Sequence, residues 1–343
     1  AFTTKTAVLA LILLFPGAQV LVWIGLYMVF YGIIYALLEN DMRRILAYSI
    51  VNQVGFMVCA VGIGTQMAIN GAAAHAFTHI IYKALLFMSA GAVLYQTGRR
   101  KCSDLGGLYQ SMPLTTLCGI VGAVSISAFP LTSGFIAKSL TVEASAQQGL
   151  EVVWYLLTAA SAGVFLHAGI KFPWFVFFQK DSGLRPADPP WNMQAAMVLF
   201  AVACIALGCF PTLLYALLPF EVDYVPYTGA HVVTQLQLLL FAGLAFFVML
   251  PAMRRTLTVT LDLDWLYRVL FIRVAKALDF AVRGAAAGVA RFAATGGGPL
   301  LGRLREWFLP QGRLAQTWPT GSMTLWVTVV LVLLVVLAQR GTS

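Results

Sequence analysis

The chain has 343 residues, of which 60% are hydrophobic and 10% are charged, and its mean hydropathy is +0.84. Soluble domains carry about a quarter charged residues, so this composition excludes a soluble enzyme or binding module and predicts an all-α, polytopic membrane protein. The net charge of +9 comes from basic residues in short loops and in one late segment. That pattern is typical of cytoplasmic loops of membrane proteins, and we expect no nucleic-acid partner.

The cysteines and glycines give no indication of a cofactor. The five cysteines form no C-x-x-C pair and no Cys/His cluster of metal-ligand spacing, so we expect no disulfide, metal site or iron–sulfur cluster. Gly62-Ile63-Gly64 does not continue into G-x-G-x-x-G and follows a membrane span, so we expect no dinucleotide site either.

Residues 1–15 admit two interpretations. One positive charge, Lys5, and a short apolar run before Pro16 resemble a signal peptide. The alternative is the end of a transmembrane helix, which is favoured because the chain starts without Met and Lys5 lies among threonines. On this interpretation we expect the chain to be the later part of a longer polypeptide.

The segment 71–95 is apolar enough to cross a bilayer, yet it carries three ionisable side chains. His75, His79 and Lys83 are four residues apart, so they share one face of a helix. An ionisable group inside a bilayer costs about 2.5–3.5 kcal/mol and usually belongs to an ion or proton path. The alternative is that the histidines only join helices and the lysine reaches the interface. Three such groups in one row favour a path.

The apolar segment 113–145 is too long for one straight span. It is interrupted at 129–134, which contains Pro130, and it resumes shortly before Lys138. Proline removes a backbone donor and clashes with the preceding turn, so the segment predicts a broken helix. Broken helices in the middle of a membrane commonly mark ion sites, and Lys138 is therefore a further candidate for the path.

Five other membrane spans are predicted, at 18–38, 45–63, 152–172, 193–218 and 232–250. His167 and Lys171 lie four residues apart in the third of these. His167 is left open between helix packing and the path. Lys171 lies near one end, where a lysine is expected to extend toward the interface.

The last part of the chain changes character. Residues 254–319 carry many arginines among apolar side chains, which predicts an amphipathic segment on the cytoplasmic face of the membrane. A short apolar run at 324–338 predicts an anchor. Together with the partial first helix, the predicted spans add up to nine membrane segments. The chain is predicted to have three regions: a transmembrane domain at 1–253, the amphipathic segment at 254–319 and the anchor at 320–343.

Basic residues fall in alternate loops, at Arg43/Arg44, Arg99/Arg100/Lys101, Lys180/Arg185 and Arg254/Arg255. The intervening loops contain Glu143, Glu151, Glu221 and Asp223 instead. By the positive-inside rule the basic loops are cytoplasmic, and we expect a multi-pass protein of a bacterial inner membrane.

Four stretches resemble motifs of a known family. ENDMRRILAYSIVNQVGFM resembles the D-(I/M)-(K/R)-R-x-L-A-Y-S motif of the antiporter-like subunits shared by Mrp-type Na+/H+ antiporters and respiratory complex I. HAFTHIIYKALLFMSAGAV is similar to their H-A-x-x-K-A-L-L-F motif, and DLGGLYQSMPLT to the G-G-L-x-x-x-M-P segment that follows. SISAFPLTSGFIAKSL resembles the broken helix ending in G-F-x-x-K. The resemblance covers about residues 1–180.

The resemblance implies a role for individual residues. Lys5 matches the family's lysine or histidine in the central membrane region, His79 and Lys83 match the connecting row, and Lys138 matches the exit-side lysine. The family moves protons along such groups. With His75, these residues are expected to form relay stations. The family's earlier helices, which hold an essential glutamate and lysine pair, have no counterpart here, so we expect only the central and exit parts of a channel.

Three functions compete. The first is a proton-translocating subunit of a Mrp-type cation/proton antiporter, with other membrane subunits as partners and protons, with Na+ or K+, as the transported ions. The second is a proton-pumping arm of a complex I-like NADH:quinone oxidoreductase, in which case any enzyme activity belongs to the assembly. The third is a structural scaffold without transport. HAGIKFPWFVFF favours the antiporter branch, whereas the DLDWLYR stretch and the tail favour complex I.

Overall fold

The computed structural model describes residues 3–251, 265–295, 297–310 and 320–340. Within these ranges the regular elements are helices. The chain divides into two compact units, Ala1–Val259 and Thr260–Ser343. The first unit contains the helices α1 (Thr3–Leu14), α2 (Val20–Leu38), α3 (Met42–Ile63), α4 (Gln66–Thr97), α5 (Pro113–Ile126), α6 (Ser133–Gln147), α7 (Glu151–Val164), α8 (Trp191–Cys209), α9 (Pro211–Tyr215) and α10 (Gly229–Met249).

The expectation of an all-α, polytopic membrane protein is confirmed. In the part of the chain that the structure describes, six helices are long and apolar enough to cross a membrane, the last turns after α7 included, and three shorter apolar helices accompany them. Each of the nine expected membrane segments overlaps at least one of the described helices. Many side chains of α2, α8 and α10 remain exposed apolar surface, as expected for helices that face lipid.

Local chemistry explains where the central helices begin and end. The carboxylate of Asp41 accepts from the backbone N–H groups of Arg43 and Arg44, which caps the start of α3. Gly64 ends that helix with φ of 75°, a left-handed conformation that favours glycine. The hydroxyl of Thr65 then caps α4 by accepting from Ala68 N at 3.2 Å. A two-residue turn therefore connects the two most buried of the six long apolar helices.

Helices α2 and α3 pack with unusually close backbones. A Cβ at Gly25 would lie 2.5 Å from the backbone nitrogen of Cys59, and one at Gly55 would lie 2.6 Å from the carbonyl oxygen of Gly25. Small residues let membrane helices approach until their backbones touch, and dispersion then replaces the missing hydrophobic driving force. This contact holds α2 firmly against α3.

The helix break predicted near Pro130 is present between α5 and α6. Ala128 and Leu131 adopt φ of 57° and 65°, which is costly for residues with a Cβ. Gly134 lies where a Cβ would be 1.8 Å from the carbonyl oxygen of Ser125. Ser125 and Ser133 join the two half-helices through their hydroxyls at 3.0 Å. Packing thus holds the backbone in a conformation that an isolated chain would avoid.

Two predicted spans have different limits in the structure. The span expected to end at residue 172 continues through π-helical turns at Phe165–Lys171 and Trp174–Phe178. Pro173 is accommodated because it lies between the two π-helical turns rather than inside a regular α-helix. The span expected at 193–218 was predicted wrongly as one helix: α8 ends at Cys209 and Pro211 starts the short α9.

Hydrogen bonds between loops show which connections share a face of the first unit. On one face Met42 N donates to Arg100 O at 3.0 Å, and the Arg100 guanidinium pairs with Asp41 at 3.2 Å. On the same face Ser182 N donates to Gly106 O at 3.2 Å. We call this the basic face, because the basic clusters at 43–44, 99–101 and 180–185 all lie on it. Arg254 and Arg255 lie outside the described residues.

The opposite face is joined in the same way, and we call it the 216–228 face. Gly17 N donates to Val61 O at 2.9 Å. The side-chain amide of Asn70 donates to Phe220 O at 2.9 Å and accepts from Phe220 N at 3.1 Å. The loop before α10 is therefore fixed to the start of α4, at the end of the helix that lies away from the basic face.

An ion pair on the basic face stays charged at physiological pH. The Arg185 guanidinium donates to the Asp181 carboxylate, and Gly183 N donates to it as well. These bonds lower the pKa of Asp181 to about 2. The pair is exposed, so it positions the loop rather than stabilising the fold strongly.

The second unit contains α11 (Phe271–Thr295), α12 (Gly297–Phe308) and α13 (Thr320–Arg340). In α11 the exposed Phe271, Leu278 and Val289 recur at helical spacing on one face, while Arg273 and Arg283 lie on the other. The amphipathic pattern predicted for this region is thus present in α11. Three features that the sequence singled out in the tail, Arg313, the start of the DLDWLYR stretch and Gly296, lie outside the described residues.

Candidate functional site

The ionisable row predicted on α4 lies in the interior of the first unit. His75, His79 and Lys83 have no solvent-exposed surface in the structure. The rings of His75 and His79 meet edge to face with centroids 6.2 Å apart. The expected periodicity therefore places the three side chains together, and none of them extends to an interface.

A hydrogen-bond network orients His75. Its Nε2 lies 3.1 Å from Gln53 Oε1 and 2.9 Å from the Tyr82 hydroxyl, which itself donates to Gln53 Oε1. The Gln53 amide donates to Asn52, and the Asn52 amide donates to Val29 O at 3.0 Å. Because an amide oxygen can only accept, the network places a proton on Nε2. Nδ1, which has no protein partner, is left with an acceptor lone pair.

His79 and Lys83 continue the row without any hydrogen bond to protein. Neither ring nitrogen of His79 has a partner, and the same holds for Lys83 Nζ. The nearest aromatic face to the ammonium is Phe87, with 5.8 Å from Nζ to the ring centroid. Buried polar atoms are bonded in more than about 90% of cases. Unbonded nitrogens on three successive polar side chains of one helix face therefore require an explanation. Water molecules or exchanging protons between these nitrogens would supply the missing partners.

Lys138 lies next to the helix break, as predicted. Its Nζ donates to the carbonyl oxygen of Ile126 at 2.6 Å and lies 5.2 Å from the Phe56 ring centroid. Ile126 is the last residue of α5, so its carbonyl is one that the broken helix leaves free. The break thus provides the lysine with one acceptor, and it leaves two ammonium hydrogens for other partners.

Lys5 and His167 complete the predicted set. Lys5 is 8% exposed on α1, and its Nζ donates to Thr4 Oγ1 at 3.2 Å. His167 Nδ1 donates to Gly163 O at 2.8 Å, and its Nε2 has no protein partner. The Phe56 ring contacts both Lys138 and the row, since its centroid is 5.2 Å from Lys138 Nζ and 6.1 Å from the centroid of the His75 ring. Lys138 and the row on α4 therefore form one cluster.

Lys171 reaches the basic-face end of α2, where its ammonium is buried rather than exposed to solvent. It is 6% exposed, and its ammonium donates to three backbone carbonyls near the end of α2, at 3.0 Å to Ala36, 2.6 Å to Leu37 and 2.6 Å to Glu39. A cation at a helix C-terminus is favoured by the free carbonyls there. Lys171 is therefore a helix cap and not a member of the row.

Glu39, in the loop between α2 and α3, forms its ion pair from a buried position. Glu39 is 6% exposed, and it accepts from the backbone of Asn40 and Asp41 while pairing with Arg44 at 3.2 Å. Among the described residues it is the buried carboxylate. It lies at the Lys171 end of α2, on the basic face, so the amines of the row keep no carboxylate partner.

Two groups of the site were missed by sequence reasoning. Gln53 and Tyr82, which orient His75, carry no charge, and only their placement on the facing sides of α3 and α4 identifies them. His231 lies near Lys138 across a small cavity. The sequence could have indicated His231, because His231 and Gln235 are four residues apart at the start of an apolar span and so share one helix face.

Comparison with known families identifies the domain. Residues 2–165 match the family model described as "NADH:quinone oxidoreductase/Mrp antiporter, TM". The matched segment, just under half of the chain, is similar to this family's antiporter-like transmembrane domain. The matched residues include Lys5, the row on α4 and Lys138, while His167 lies two residues beyond the match. The resemblance drawn from the four motifs is thereby confirmed.

Curated relatives of the antiporter-like domain come from two kinds of assembly. The chain is 29% identical over 226 residues to a probable K(+)/H(+) antiporter component of Rhizobium meliloti (strain 1021), covering 62% of this chain and 22% of that protein. It is 36% identical over 208 residues to "NADH-quinone oxidoreductase subunit N" of Desulforudis audaxviator (strain MP104C), covering 57% of this chain and 42% of that protein. The chain thus spans less than half the length of these relatives.

A solved structure shows the same fold. A chain of the membrane-bound sulfane sulfur reductase, described as an archaeal respiratory membrane complex, superposes with a TM-score of 0.57 at 22% identity. The superposition covers 93% of this chain and 56% of that one. At this identity the similarity shows the fold of the antiporter-like domain and no more.

Proposed function

We propose that this chain is a proton-translocating subunit of a Mrp-type monovalent cation/proton antiporter in a bacterial inner membrane. The observation that carries the proposal is the buried row on α4, in which both ring nitrogens of His79, Lys83 Nζ and His75 Nδ1 lack protein partners, in the same cluster as Lys138 at the helix break. A protein that only needed packing would bury apolar side chains there, because each unbonded polar group costs stability.

The geometry suits proton relay in a specific way. His75 has one nitrogen held by Gln53 and Tyr82 and the other free to accept. Histidine exchanges protons near neutrality, and an imidazole that accepts at one nitrogen can release from the other. A lysine of this set can accept a proton when its amine is neutral, and the positive charge that it then gains repels the charge on the next station. His167 offers a free Nε2 beside the row and is included as a side station.

The complex I-like arm is the second candidate. It is favoured by the relative from Desulforudis audaxviator, which has the higher identity of the two and is matched over the larger share of its own length. The same buried row would serve in both assemblies, since only the source of energy differs. In that case quinone reduction in partner subunits would drive the protons, and this chain would hold no redox cofactor.

The partners are proposed to be other membrane subunits, and the ions are protons together with Na+ or K+. The basic face is assigned to the cytoplasm by the positive-inside rule. The regions at 254–319 and 320–343 are proposed to be a surface segment and an anchor that help assembly. The basic and apolar faces of α11 support a surface position.

Reconstitution tests the proposal and separates the two candidates. The protein is purified with its co-purifying subunits and reconstituted into vesicles that contain a pH-sensitive dye. An antiporter predicts a change of internal pH when a Na+ or K+ gradient is imposed, and no response to NADH. A complex I-like arm predicts the reverse. A preparation that moves no protons under either condition would contradict both.

A further inference from the structure

A small polar chamber lies beside Lys138, on the side away from α4. Its volume is about 50 Å³, and its lining includes Lys138 and Ser139 of α6, Thr158 and Ser161 of α7, and His231 and Gln235 of α10. A cavity needs roughly 10–15 Å³ per water molecule, so this one has room for about three. Waters there would find the polar partners they need, among them Thr158 Oγ1, which has no protein partner.

His231 forms the outer wall of this chamber. Its ring stacks on Phe135 with centroids 4.6 Å apart and planes inclined by 20°. Phe135 lies three residues before Lys138 on the same helix, so the stack fixes the imidazole close to the lysine. His231 is only half-buried, and it lies in the first turn of α10, directly after the 216–228 loop. The imidazole therefore stands between the chamber and the 216–228 face.

The hydrogen bonds of His231 leave one nitrogen ready to accept a proton. Nδ1 lies 2.8 Å from Pro226 O and therefore donates to it, because a carbonyl can only accept. The proton on Nδ1 leaves Nε2 with its lone pair. The other polar groups near the ring are the hydroxyl of Tyr224, 3.5 Å from Nδ1, and the ring of Tyr227, which stacks on Phe135.

We propose that His231 is the proton-release site of this domain, receiving protons from Lys138 through water in the chamber and delivering them to the 216–228 face. The ammonium of Lys138 gives one proton to a chamber water and becomes a neutral amine. A proton passes from the water chain to His231 Nε2, which becomes imidazolium and then loses a proton to bulk water. Lys138 regains its proton from the row on α4. No bond other than N–H and O–H bonds changes, and one proton crosses.

The inference rests on the proposed function. Its test therefore distinguishes a wrong release site from a wrong proposed function. His231→Asn keeps a side-chain N–H for Pro226 O but cannot be protonated. His231→Ala leaves a space into which free imidazole can diffuse from the 216–228 face. Both proteins are prepared as the assembled complex in vesicles, and proton flux is measured with and without millimolar imidazole on that side.

We expect at least a tenfold loss of flux in both variants, with unchanged assembly, and recovery of the His231→Ala complex by imidazole. General acid–base groups contribute about 10²–10⁴-fold, so a tenfold loss is a modest threshold. Gln235→Leu, which makes the chamber less polar, should reduce flux as well. The matched control is Gln237→Leu. Gln237 lies two residues further along α10, is exposed and does not line the chamber, so this substitution should leave the flux unchanged.

Flux at the wild-type rate in the His231→Asn complex would overturn the inference. So would a slow His231→Ala complex that imidazole does not restore, because that pattern indicates a structural role. Lys138→Ala measured in parallel separates the two levels. If Lys138→Ala is inactive and the His231 variants are active, only the release site is wrong. If Lys138→Ala is active too, the proposed function itself fails.

Discussion

Replacing Lys83 by Met should make the protein more stable and inactive at the same time. The Lys83 ammonium is buried with no protein partner, and burying an unbonded polar group costs about 1–3 kcal/mol in mutational data. Methionine is unbranched and fills the same space without that cost. We therefore expect the free energy of unfolding to rise by about 1–3 kcal/mol.

The assay is thermal denaturation of the purified complex in detergent, combined with proton flux in vesicles. A stability change of about 1 kcal/mol shifts Tm by about 2–4 °C for a domain of 150–250 residues, so the midpoint should rise by between about 2 and 12 °C. Proton flux should fall to the background. A lower midpoint would show that Lys83 is bonded after all, and retained flux would remove it from the path.

Lys171→Met is the matched control, since it removes a lysine of equal length from the same domain. Lys171 donates to three carbonyls, and its bonds to Ala36 and Glu39 are buried. An unsatisfied buried acceptor costs about 1–3 kcal/mol, so the loss should be about 2–6 kcal/mol. Flux per assembled complex should remain. A stable but inactive Lys171→Met protein would contradict its assignment as a helix cap.

Three further predictions concern the fold and topology. Gly134→Ala should destabilise the helix break by more than about 2 kcal/mol, because its Cβ would meet Ser125 O at 1.8 Å, whereas Gly91→Ala, with open space around it, should be neutral in the same denaturation assay. Arg100→Cys and Asp181→Cys should react with an impermeant thiol reagent from the cytoplasmic side and Asp223→Cys from the other, and labelling of Arg100→Cys and Asp223→Cys from one side would contradict the topology. A protein ending at residue 253 should insert normally and pull down its partner subunits poorly, so full recovery of the subunits would exclude an assembly role for the tail.

Hydrophobic segments and spacing were enough to predict most of this fold. The spans of α2, α3, α4 and α10, and the position of the break before Lys138, follow from apolar run length and from Pro130. What could not be predicted depends on contacts between distant residues. Pro211 starts a new helix, while Pro173 does not end one because π-helical turns surround it. Nothing in the local sequence distinguishes these two prolines.

The site was predictable where its residues share one helix. Spacing of four placed His75, His79 and Lys83 in a row, and this is how the structure has them. The difference between Lys83 and Lys171 was not predictable, because it depends on which carbonyls lie within reach of each ammonium. Lys171 lies beside the end of α2, which is 132 or more residues away in the chain. Such tertiary partners decide whether a buried lysine is a cap or a candidate carrier.

Proton flux through the Lys138→Arg complex tests the central claim most directly. Arginine keeps the positive charge and can donate to Ile126 O, but it holds its proton too tightly to exchange. If Lys138 carries protons, the Lys138→Arg complex should assemble normally and show no flux, as should Lys138→Ala. If Lys138 supplies only a fixed charge beside the helix break, Lys138→Arg should retain most of the wild-type flux, and that result would contradict proton relay through this chain.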